Sequence, residues 1–447
     1  MTSVTVVFPR EIKNIVVDIQ TGRLTKLALQ VLVDGNEPSG LLRDYFSKKR
    51  PGKTYRKIVA GLIFFLLRNK KALFLAVSPD LKGLGCETVI RGVLELTVFR
   101  TLSADLSLFS RNANIVKQDL QLKKIENSPL QTTKSLSFSK SYPKWIVSYF
   151  LLNDGLKRTL QLLDDSFRPN YICLRANSIK IKCPTLIKKL REKGIECSSS
   201  NNIPDCIYVR TEKKISELSL FKSGEFEIQD FGSQLIVKAL NVKKHSTIVD
   251  FCAGAGGKSL AIGSLMRNTG VVYSFDISKN KIDKLKIRLA RSGLKNIYPV
   301  LLSGLNDKRL NGFHLKASKV LVDAPCTCSG TFRHNPHLKW KVSSMVLKEL
   351  TKRQGEILEK ASYLCSQGGT LMYATCSLFK DENERVIENF LKSNTEFFVQ
   401  PLDNSYVKNL LEELKESVFI DKLGGVTLFD PRISKYGFYF INLTKKC

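Results

Sequence analysis

Two cysteines, Cys326 and Cys376, stand about fifty residues apart, and each follows a short apolar run typical of a buried strand. Cys326 lies in DAPCTCSG (323–330) and Cys376 lies in YATCS (373–377). A cysteine thiolate is a strong nucleophile that can form a covalent intermediate with an electrophilic carbon. A reaction that would use two such thiols is the methylation of carbon 5 of a cytosine, an atom too weakly nucleophilic to accept a methyl group unaided.

This hypothesis gives each thiol a separate step. Addition of one thiolate to carbon 6 of the ring makes carbon 5 enamine-like, and a nearby acid such as Asp323 could support the addition at ring atom N3. After methyl transfer, carbon 5 must lose its proton and the first thiol must leave, and a second cysteine can assist that release. Because the base must leave any stack to reach these groups, unpaired or flipped nucleotide is the expected substrate.

Two other interpretations of the cysteines are zinc binding and a purely structural role. Cys326, Cys328, His334 and His337 cluster within twelve positions and could suggest zinc, but C-x-C and H-x₂-H are not the usual zinc spacings. The sequence therefore predicts no metal. Buried cysteines also occur as small hydrophobic core residues with no chemical role. The shared position of Cys326 and Cys376 after strands favours the chemical interpretation.

The segment from about residue 241 onward must position these cysteines. Runs typical of strands, such as STIVD, VVYSFD, KVLVD and TLMYAT, alternate there with helical runs such as KIDKLKIRLA. Such alternation predicts a Rossmann-like α/β domain with a parallel sheet, in which ligands bind beyond the carboxyl ends of the strands. Both cysteines follow such ends. The run at 437–443 is expected to be the last strand, at the sheet edge.

A glycine-rich turn, DFCAGAGGKS (250–259), joins the first of these strands to a helix and could bring backbone amides close to a ligand. A P-loop would need glycine where Cys252 stands, and a dinucleotide fingerprint would need glycine where Ser259 stands. Asp276, at the end of the next strand, could bind the ribose hydroxyls of either a dinucleotide or S-adenosylmethionine. The residues alone leave those two ligands open.

The rest of the chain divides by pattern. Apolar residues at three- and four-residue spacing predict a helical bundle over 24–106, followed by a polar stretch at 121–144 that is expected to be a linker. Short strand-like runs around a helix predict a small α+β module over about 145–240.

Composition favours a nucleic acid partner. The 447 residues include 71 Lys plus Arg against 41 Asp plus Glu, a formal net charge of +30 that attracts polyanions, although biased composition alone could also produce it. The eleven cysteines are odd in number and scattered, so reduced thiols in the cytoplasm are expected. The longest apolar run near the front, 61–67, is too short for a membrane span, so no membrane partner is expected.

Taken together, the motifs resemble the RsmB (Fmu/Sun) family of RNA cytosine-5 methyltransferases, which use S-adenosylmethionine on ribosomal RNA. The stretches that carry the resemblance are IQDFGSQ (228–234), DFCAGAGGKS (250–259), DAPCTCSGTFRHNPHLKW (323–340) and GGTLMYATCSLFKDENERVIENF (368–390). The middle segment is similar to the small RNA-binding module of that family, and the front helices are similar in pattern to its NusB-like domain. The implied domains are 1–125, all-α and NusB-like, binding RNA or a partner; 140–240, the α+β RNA-binding module; and 241–447, the Rossmann-like methyltransferase.

The resemblance also implies roles for individual residues. Cys376 would be the nucleophile, Cys326 would assist release, and Asp323 would contact the cytosine ring and lie near the cofactor. The residues implied to bind S-adenosylmethionine are Cys252, Ala253, Gly254, Ala255, Gly256, Gly257 and Lys258 at the methionine end, Asp276 at the ribose, and Asp323. The chain departs from the family in having CAGAGGK for the usual CAAPGGK, and in lacking an acid at the usual adenine-binding position, near which Asp307 is displaced.

The implied activity is transfer of a methyl group from S-adenosylmethionine to carbon 5 of a cytosine in 16S ribosomal RNA. The alternatives are a transfer RNA cytosine-5 methyltransferase and a non-catalytic protein that binds RNA in an assembly. The intact Cys326, Cys376, Asp323 and Lys258 argue against the non-catalytic alternative.

Overall fold

The computed structural model describes residues 9–78, 86–102, 112–126, 132–164, 171–401, 405–415, 417–430 and 432–447. The described residues form two compact units. The first contains those up to 164 together with Asn335–Ser343, and the second contains 171–334 and the described residues from Ser344 onward.

The first unit is helical. Its first eight helices are α1 (Pro9–Gln20), α2 (Arg23–Leu32), α3 (Pro38–Lys49), α4 (Lys53–Val77), α5 (Cys86–Leu102), α6 (Asn112–Glu126), α7 (Thr133–Ser139) and α8 (Lys144–Leu162). In α2, residues Leu24, Leu27, Ala28 and Val31 are all buried, which is the spacing of one helix face. The described part of 24–106 is therefore helical, as its apolar spacing predicts. The similarity of this segment to a NusB-like domain stays a prediction.

The polar stretch at 121–144 is not the expected linker. Its described residues include the end of α6 and the whole of α7, which begins with a capping box between Thr132 and Ser135. Leu122 and Leu136 are buried. Thr and Ser residues make this stretch polar, which is typical of a linker. In a capping box, however, the same residue types begin a helix.

The second unit begins with a small antiparallel sheet. Its elements are β1 (Ile172–Ala176), α9 (Cys183–Glu192), β2 (Glu196–Ser199), β3 (Cys206–Arg210), α10 (Ser219–Lys222) and β4 (Phe226–Ile228). The strand order is β2-β3-β1-β4. The sequence predicts β1 and β3, whereas β2 is too polar and β4, with three residues, is too short to stand out.

A nine-stranded sheet forms the rest of this unit. From residue 231 onward the elements in chain order are α11 (Phe231–Ala239), β5 (Thr247–Asp250), α12 (Gly257–Leu265), β6 (Val271–Asp276), α13 (Lys279–Ser292), β7 (Ile297–Leu301), β8 (Ala317–Asp323), α14 (Leu338–Lys341), α15 (Ser344–Ser362), β9 (Cys365–Thr375), α16 (Glu384–Ser393), β10 (Phe397–Val399), α17 (Ser405–Glu413), β11 (Val418–Ile420), β12 (Val426–Leu428) and β13 (Phe438–Lys445). Helix α14 belongs to the helical unit, and the other elements belong to the second unit. Short 3₁₀ turns are Ile215–Glu217, Lys308–Phe313, Ser329–Thr331 and Lys380–Glu382.

The order of the strands places the candidate residues at one edge. The sheet runs β11-β12-β13-β9-β8-β5-β6-β7, and β7, β6, β5, β8 and β9 are mutually parallel. The chain moves outward from β5 to β7 and then returns to the other side of β5 as β8, so the connections on either side of β5 diverge and leave a crevice at the carboxyl ends of β5 and β8.

The prediction that the last strand lies at the edge of the sheet is wrong. β13 lies between β12 and β9, antiparallel to both, and β10 also pairs with it. Six of its eight residues are buried, because both of its faces are covered. An apolar run without alternation is typical of an interior strand.

The segment Asn335–Ser343 belongs to the helical unit, although it is flanked in sequence by residues of the second unit. Lys339 is 0% exposed, its Nζ donates to the carbonyl oxygen of Arg68 at 3.2 Å, and the same atom lies 4.0 Å from the Tyr142 ring centre. The indole N–H of Trp340 donates to the carbonyl oxygen of Leu67 at 2.8 Å. The chain therefore passes between the two units three times.

The longest helix, α4, has 25 residues and carries several lysines and arginines. Among the residues that the structure describes, no helix is both long and apolar enough to cross a bilayer.

Candidate active site

The two cysteines singled out in the sequence lie side by side. The Sγ atoms of Cys326 and Cys376 are 3.4 Å apart, and both residues are partly exposed. Their proximity follows from the pairing of β8 with β9, which extends to Asp323 opposite Ala374 and continues with a bond from the Ala324 N–H to the Ala374 carbonyl at 2.8 Å. The loop after β8, which contains Cys326, and the loop after β9, which contains Cys376, therefore begin side by side.

A buried carboxylate, Glu382, joins those two loops. It accepts hydrogen bonds from the Thr327 N–H at 2.8 Å, the Thr327 hydroxyl at 2.5 Å, the Gln354 amide at 2.9 Å and the Ser377 hydroxyl. Thr327 follows Cys326, and Ser377 follows Cys376. Burial raises the pKa of Glu382, although these hydrogen bonds oppose that effect. The sequence analysis gave Glu382 no role, although it lies in the GGTLMYATCSLFKDENERVIENF stretch.

Close backbone packing fixes the loops further. The N–H of Gly330 donates to the Cys376 carbonyl at 2.9 Å, and the N–H of Gly437 donates to the Gly330 carbonyl at 2.8 Å. A Cβ at position 330 would lie 2.3 Å from the Gly437 carbonyl oxygen and 2.9 Å from that of Cys376. Glycine is therefore required at this position by space.

A third thiol completes the cluster. The Sγ atoms of Cys326, Cys328 and Cys376 all lie within 4.8 Å of one another, and Cys328 has the left-handed φ of 57°. The sequence analysis considered Cys328 only with His334 and His337 as zinc ligands. In the described part of the chain, the one group of three or more potential metal ligands is this trio of cysteines, with neither histidine.

The three thiols affect one another's protonation. Hydrogen bonds with Cys328 and Cys376, together with burial, raise the pKa of Cys326 well above the ordinary value. For Cys376 the hydrogen bond with Cys326 lowers the pKa, but the hydrogen bond with Cys328 and burial outweigh it and raise the pKa. Hydrogen bonds with Cys326 and Cys376 lower the pKa of the Cys328 thiol, against the effect of burial. Thiols this close titrate as a unit, and the first proton leaves more easily than the others.

The glycine loop after β5 has a conformation that only small residues allow. Gly254 and Gly256 have φ values of 57° and 82°, and a Cβ at Gly256 would lie 2.0 Å from Leu285 Cδ1. The guanidinium of Arg288 donates to the Ala255 carbonyl at 2.8 Å, and the Gln229 side-chain amide donates to the Gly257 carbonyl at 3.1 Å. The loop is thus held by side chains of α13 and of the stretch after β4.

Carboxylates surround this loop. The Asp276 carboxylate accepts from the Gly254 N–H at 2.9 Å and from the Ser278 N–H at 2.8 Å. The Lys258 ammonium donates to Asp323 Oδ2 at 2.6 Å. Burial disfavours the charge on Lys258, but the neighbouring Asp323 carboxylate outweighs it and raises the pKa of Lys258. Burial raises the pKa of the Cys252 thiol, so that this residue is a neutral part of the loop wall.

Asp250, the last residue of β5, is a further buried acid at this edge. Its Oδ2 accepts from the Ser259 hydroxyl at 2.6 Å, whereas its Oδ1 is buried without a hydrogen-bond partner among the described residues. Burial raises its pKa to about 7, the Ser259 hydrogen bond opposes this, and Asp323 adds to it. The sequence analysis did not select Asp250, and no spacing signal separated it from an ordinary strand terminus.

These residues fit S-adenosylmethionine. That cofactor carries an ammonium, a sulfonium and a ribose hydroxyl pair, which complement the unpartnered Asp250 oxygen and the Asp276 carboxylate. The open space beside Gly254, where a Cβ would meet nothing within 4 Å, leaves the loop backbone accessible to a ligand. The residues Cys252 through Lys258, with Asp276 and Asp323, are those that would hold it.

Asp307, considered for the adenine, has other partners. Its carboxylate accepts from the Ser303 N–H at 2.8 Å and from the Arg309 guanidinium at 2.5 Å. The hydrogen bonds from Arg309 and Ser303 hold the pKa of Asp307 well below the ordinary value. Asp307 also caps the 3₁₀ turn that begins at Lys308, so the structure gives it a local structural role.

A Rossmann-like sheet with this glycine loop, flanking acids and thiol pair defines an S-adenosylmethionine-dependent methyltransferase. Residues 237–444 match the family model described as 16S rRNA methyltransferase RsmB/F. The chain is 30% identical over 316 residues to "Probable ribosomal RNA small subunit methyltransferase B" of Bacillus subtilis, covering 70% of this chain and 68% of that protein. The chain belongs to the RsmB/F methyltransferase family, as its motifs suggested.

Two further similarities support the fold and family. The chain is 27% identical over 266 residues to the mouse protein named 28S rRNA (cytosine-C(5))-methyltransferase, covering 58% of this chain and 33% of that protein. The crystal structure of PH0851 shares the fold with a TM-score of 0.75 at 24% identity, covering 98% of this chain and 99% of that one. Family membership sets aside the alternative of a non-catalytic RNA-binding protein.

Replacing Glu382 with alanine removes the acceptor that Thr327, Ser377 and Gln354 share, and the Thr327 N–H loses its hydrogen bond. We expect a loss of about 3 kcal/mol in unfolding free energy and a fall in methyl-transfer kcat of at least about tenfold, with E382Q less affected. Chemical denaturation and single-turnover assays measure the two effects.

The matched control is Glu384→Gln, since Glu384 makes only a 3.9 Å ion pair with Lys380. It should behave as the wild type. An E382A enzyme with unchanged kcat would show that the carboxylate does not position the cysteine loops.

The raised pKa of Asp250 makes a pH-dependent contribution to stability. Between the ordinary Asp pKa of 3.8 and about 7, the unfolded chain loses this proton while the folded chain keeps it, so rising pH favours unfolding. Relative to the wild type, Asp250→Asn should therefore gain stability as the pH rises from about 4 to 7, at roughly 1 kcal/mol per pH unit. Urea unfolding at several pH values, with the half-exposed Asp283→Asn as control, measures the difference, and parallel curves for D250N and the wild type would contradict it.

Proposed function

We propose that this methyltransferase methylates carbon 5 of a cytosine in RNA, with 16S ribosomal RNA as the substrate. The observation that carries the proposal is the 3.4 Å separation of the Cys326 and Cys376 sulfur atoms beside the glycine loop and Asp323. Two adjacent thiols are what the chemistry of this carbon requires, because one must bond to the ring and another must help to release it.

Cys376 is the nucleophile in this proposal. Cys376 first loses its thiol proton to solvent, and the thiolate sulfur bonds to carbon 6 of the cytosine, so that the electron pair of the 5,6 double bond becomes available at carbon 5. S-adenosylmethionine supplies the methyl group. Cys326, after its own thiol proton has passed to solvent, accepts the proton from carbon 5, the 5,6 double bond reforms, and the bond between Cys376 and carbon 6 breaks, which returns the Cys376 thiolate.

Asp323 orients the ring during these steps. Its side chain is about one third exposed, and Lys258 holds its Oδ2. The carboxylate can therefore face the N3 and amino side of a cytosine while the Lys258 ammonium, almost fully buried, supplies positive charge close to the pair. Binding of this kind raises the rate by positioning and by electrostatics.

RNA binding by the remaining segments belongs to the same proposal. The formal charge of +30 provides a general attraction to phosphate, and α9 of the small sheet presents the exposed Lys188 beside Lys189, with Lys180 and Lys182 preceding them. We assign 140–240 as an RNA-binding module, 1–125 as a NusB-like domain that binds RNA or a partner protein, and 241–447 as the catalytic domain, in the cytoplasm where ribosomal RNA is found.

The covalent step gives a direct test. A Cys326→Ala variant should add Cys376 to the base but release it slowly, so that a protein–RNA adduct accumulates in the presence of S-adenosylmethionine and 16S RNA. Denaturing electrophoresis with labelled RNA detects the adduct. The expected increase over the wild type is at least about tenfold, since general acid–base assistance is worth about two orders of magnitude or more.

The control is Cys376→Ala, alone and combined with Cys326→Ala. Both variants should form no adduct, and Cys376→Ala should transfer no methyl group above background. Undiminished methyl incorporation by Cys376→Ala would rule out this residue as the nucleophile.

The RNA substrate is tested separately. Bisulfite sequencing of total RNA from cells with and without the gene should reveal a methylcytosine in 16S ribosomal RNA that depends on the protein. A methylcytosine confined to transfer RNA would favour the alternative substrate and leave the thiol chemistry unaffected.

A further inference from the structure

The third cysteine of the active-site cluster has no task in the proposed reaction. One thiol bonds to the ring and one releases it, whereas Cys328 lies with its Sγ within 4.8 Å of both others and 3.5 Å from the Cys326 carbonyl oxygen. All three residues are partly exposed. Three converging thiols have a second use in proteins, which is to bind a soft metal ion.

The spacing of the sulfur atoms suits zinc. With Zn–S bonds of about 2.3 Å, tetrahedral coordination places sulfur atoms about 3.8 Å apart. The Cys326–Cys376 separation of 3.4 Å and the 4.8 Å limit for all pairs bracket this value.

We propose that Cys326, Cys328 and Cys376 together bind one Zn²⁺ ion. Three Zn–S bonds form, three thiol protons are released to solvent, and a water molecule takes the fourth position. The ligand set differs from the one that the sequence spacing excluded, because it joins the C-x-C pair to a cysteine fifty residues away rather than to His334 and His337. Spacing rules for local zinc motifs do not detect such a set.

Zinc in this position inhibits the enzyme rather than assisting it. The ion occupies the sulfur of Cys376 and prevents it from bonding to a cytosine, so removal of zinc by a chelator restores activity. This inhibition rests on the proposed function, whereas the binding itself does not. Zinc binding is therefore measured directly, apart from methyl transfer.

The experiment titrates the full-length reduced protein with Co²⁺ and then with Zn²⁺. Co²⁺ bound by thiolates gives a near-ultraviolet charge-transfer band whose intensity reports the number of Co–S bonds, and Zn²⁺ should displace it at about one equivalent per chain. We expect the wild type to show three thiolate ligands. Cys328→Ser should lose one and bind Zn²⁺ at least about tenfold more weakly.

Cys206→Ser is the matched control. Cys206 is also close to another thiol, with its Sγ 3.3 Å from that of Cys173, but this pair is buried and has only two sulfur atoms. The variant should bind metal as the wild type does. S-adenosylmethionine binding by Cys328→Ser tests that its site remains folded, and protection of Cys328 from alkylation by Zn²⁺ in the wild type provides a measurement that needs no variant.

Three outcomes would overturn the proposal: no Zn²⁺ binding by the wild type at micromolar concentration, equal affinity in Cys328→Ser and the wild type, or alkylation of Cys328 that Zn²⁺ does not slow. Failure of methyl transfer with intact metal binding would instead count against the proposed function.

Discussion

The position of the Cys326 and Cys376 sulfur atoms depends on one buried carboxylate. Glu382 accepts hydrogen bonds from both of the loops that carry Cys326 and Cys376, and no water competes with it, because it is 0% exposed. A carboxylate buried in this way is costly unless every lone pair has a donor. Because the donors come from separate loops and from α15, the requirement to satisfy the acid holds all three elements together.

The topology of the large sheet supplies the second constraint. Parallel strands deliver successive loops to the same edge, and the reversal at β5 opens a crevice between the loops after β5 and β8. The glycine loop and Asp276 lie on one side of this crevice, and Asp323 with the thiol cluster lies on the other. The Lys258–Asp323 ion pair at 2.6 Å links the two sides, so the glycine loop and the loop that begins at Asp323 share a charged contact.

Much of this could be predicted from the sequence, because it depends on local signals. Strand ends followed by functional residues, such as Asp276 and Asp323, stand out in a regular alternation of strands and helices. The role of Glu382 could not be predicted, since its partners are brought together by a long helix and two loops. The proximity of Cys328 to Cys376 could not be predicted, because the two residues are distant in sequence. The interior position of β13 was missed because strand order is set by tertiary pairing.

The excursion of Asn335–Ser343 into the helical unit has a consequence for how this protein can be divided. A fragment that begins after the eighth helix would retain Lys339 and Trp340 but lose the Arg68 and Leu67 carbonyl groups that they bond, together with the Tyr142 ring. Lys339, which is buried in the full chain, would then be exposed to water, and Trp340 would lose its hydrogen-bond acceptor. Both residues follow the loop that contains Cys326. The helical unit is therefore complete only when this short downstream segment is present with the front helices.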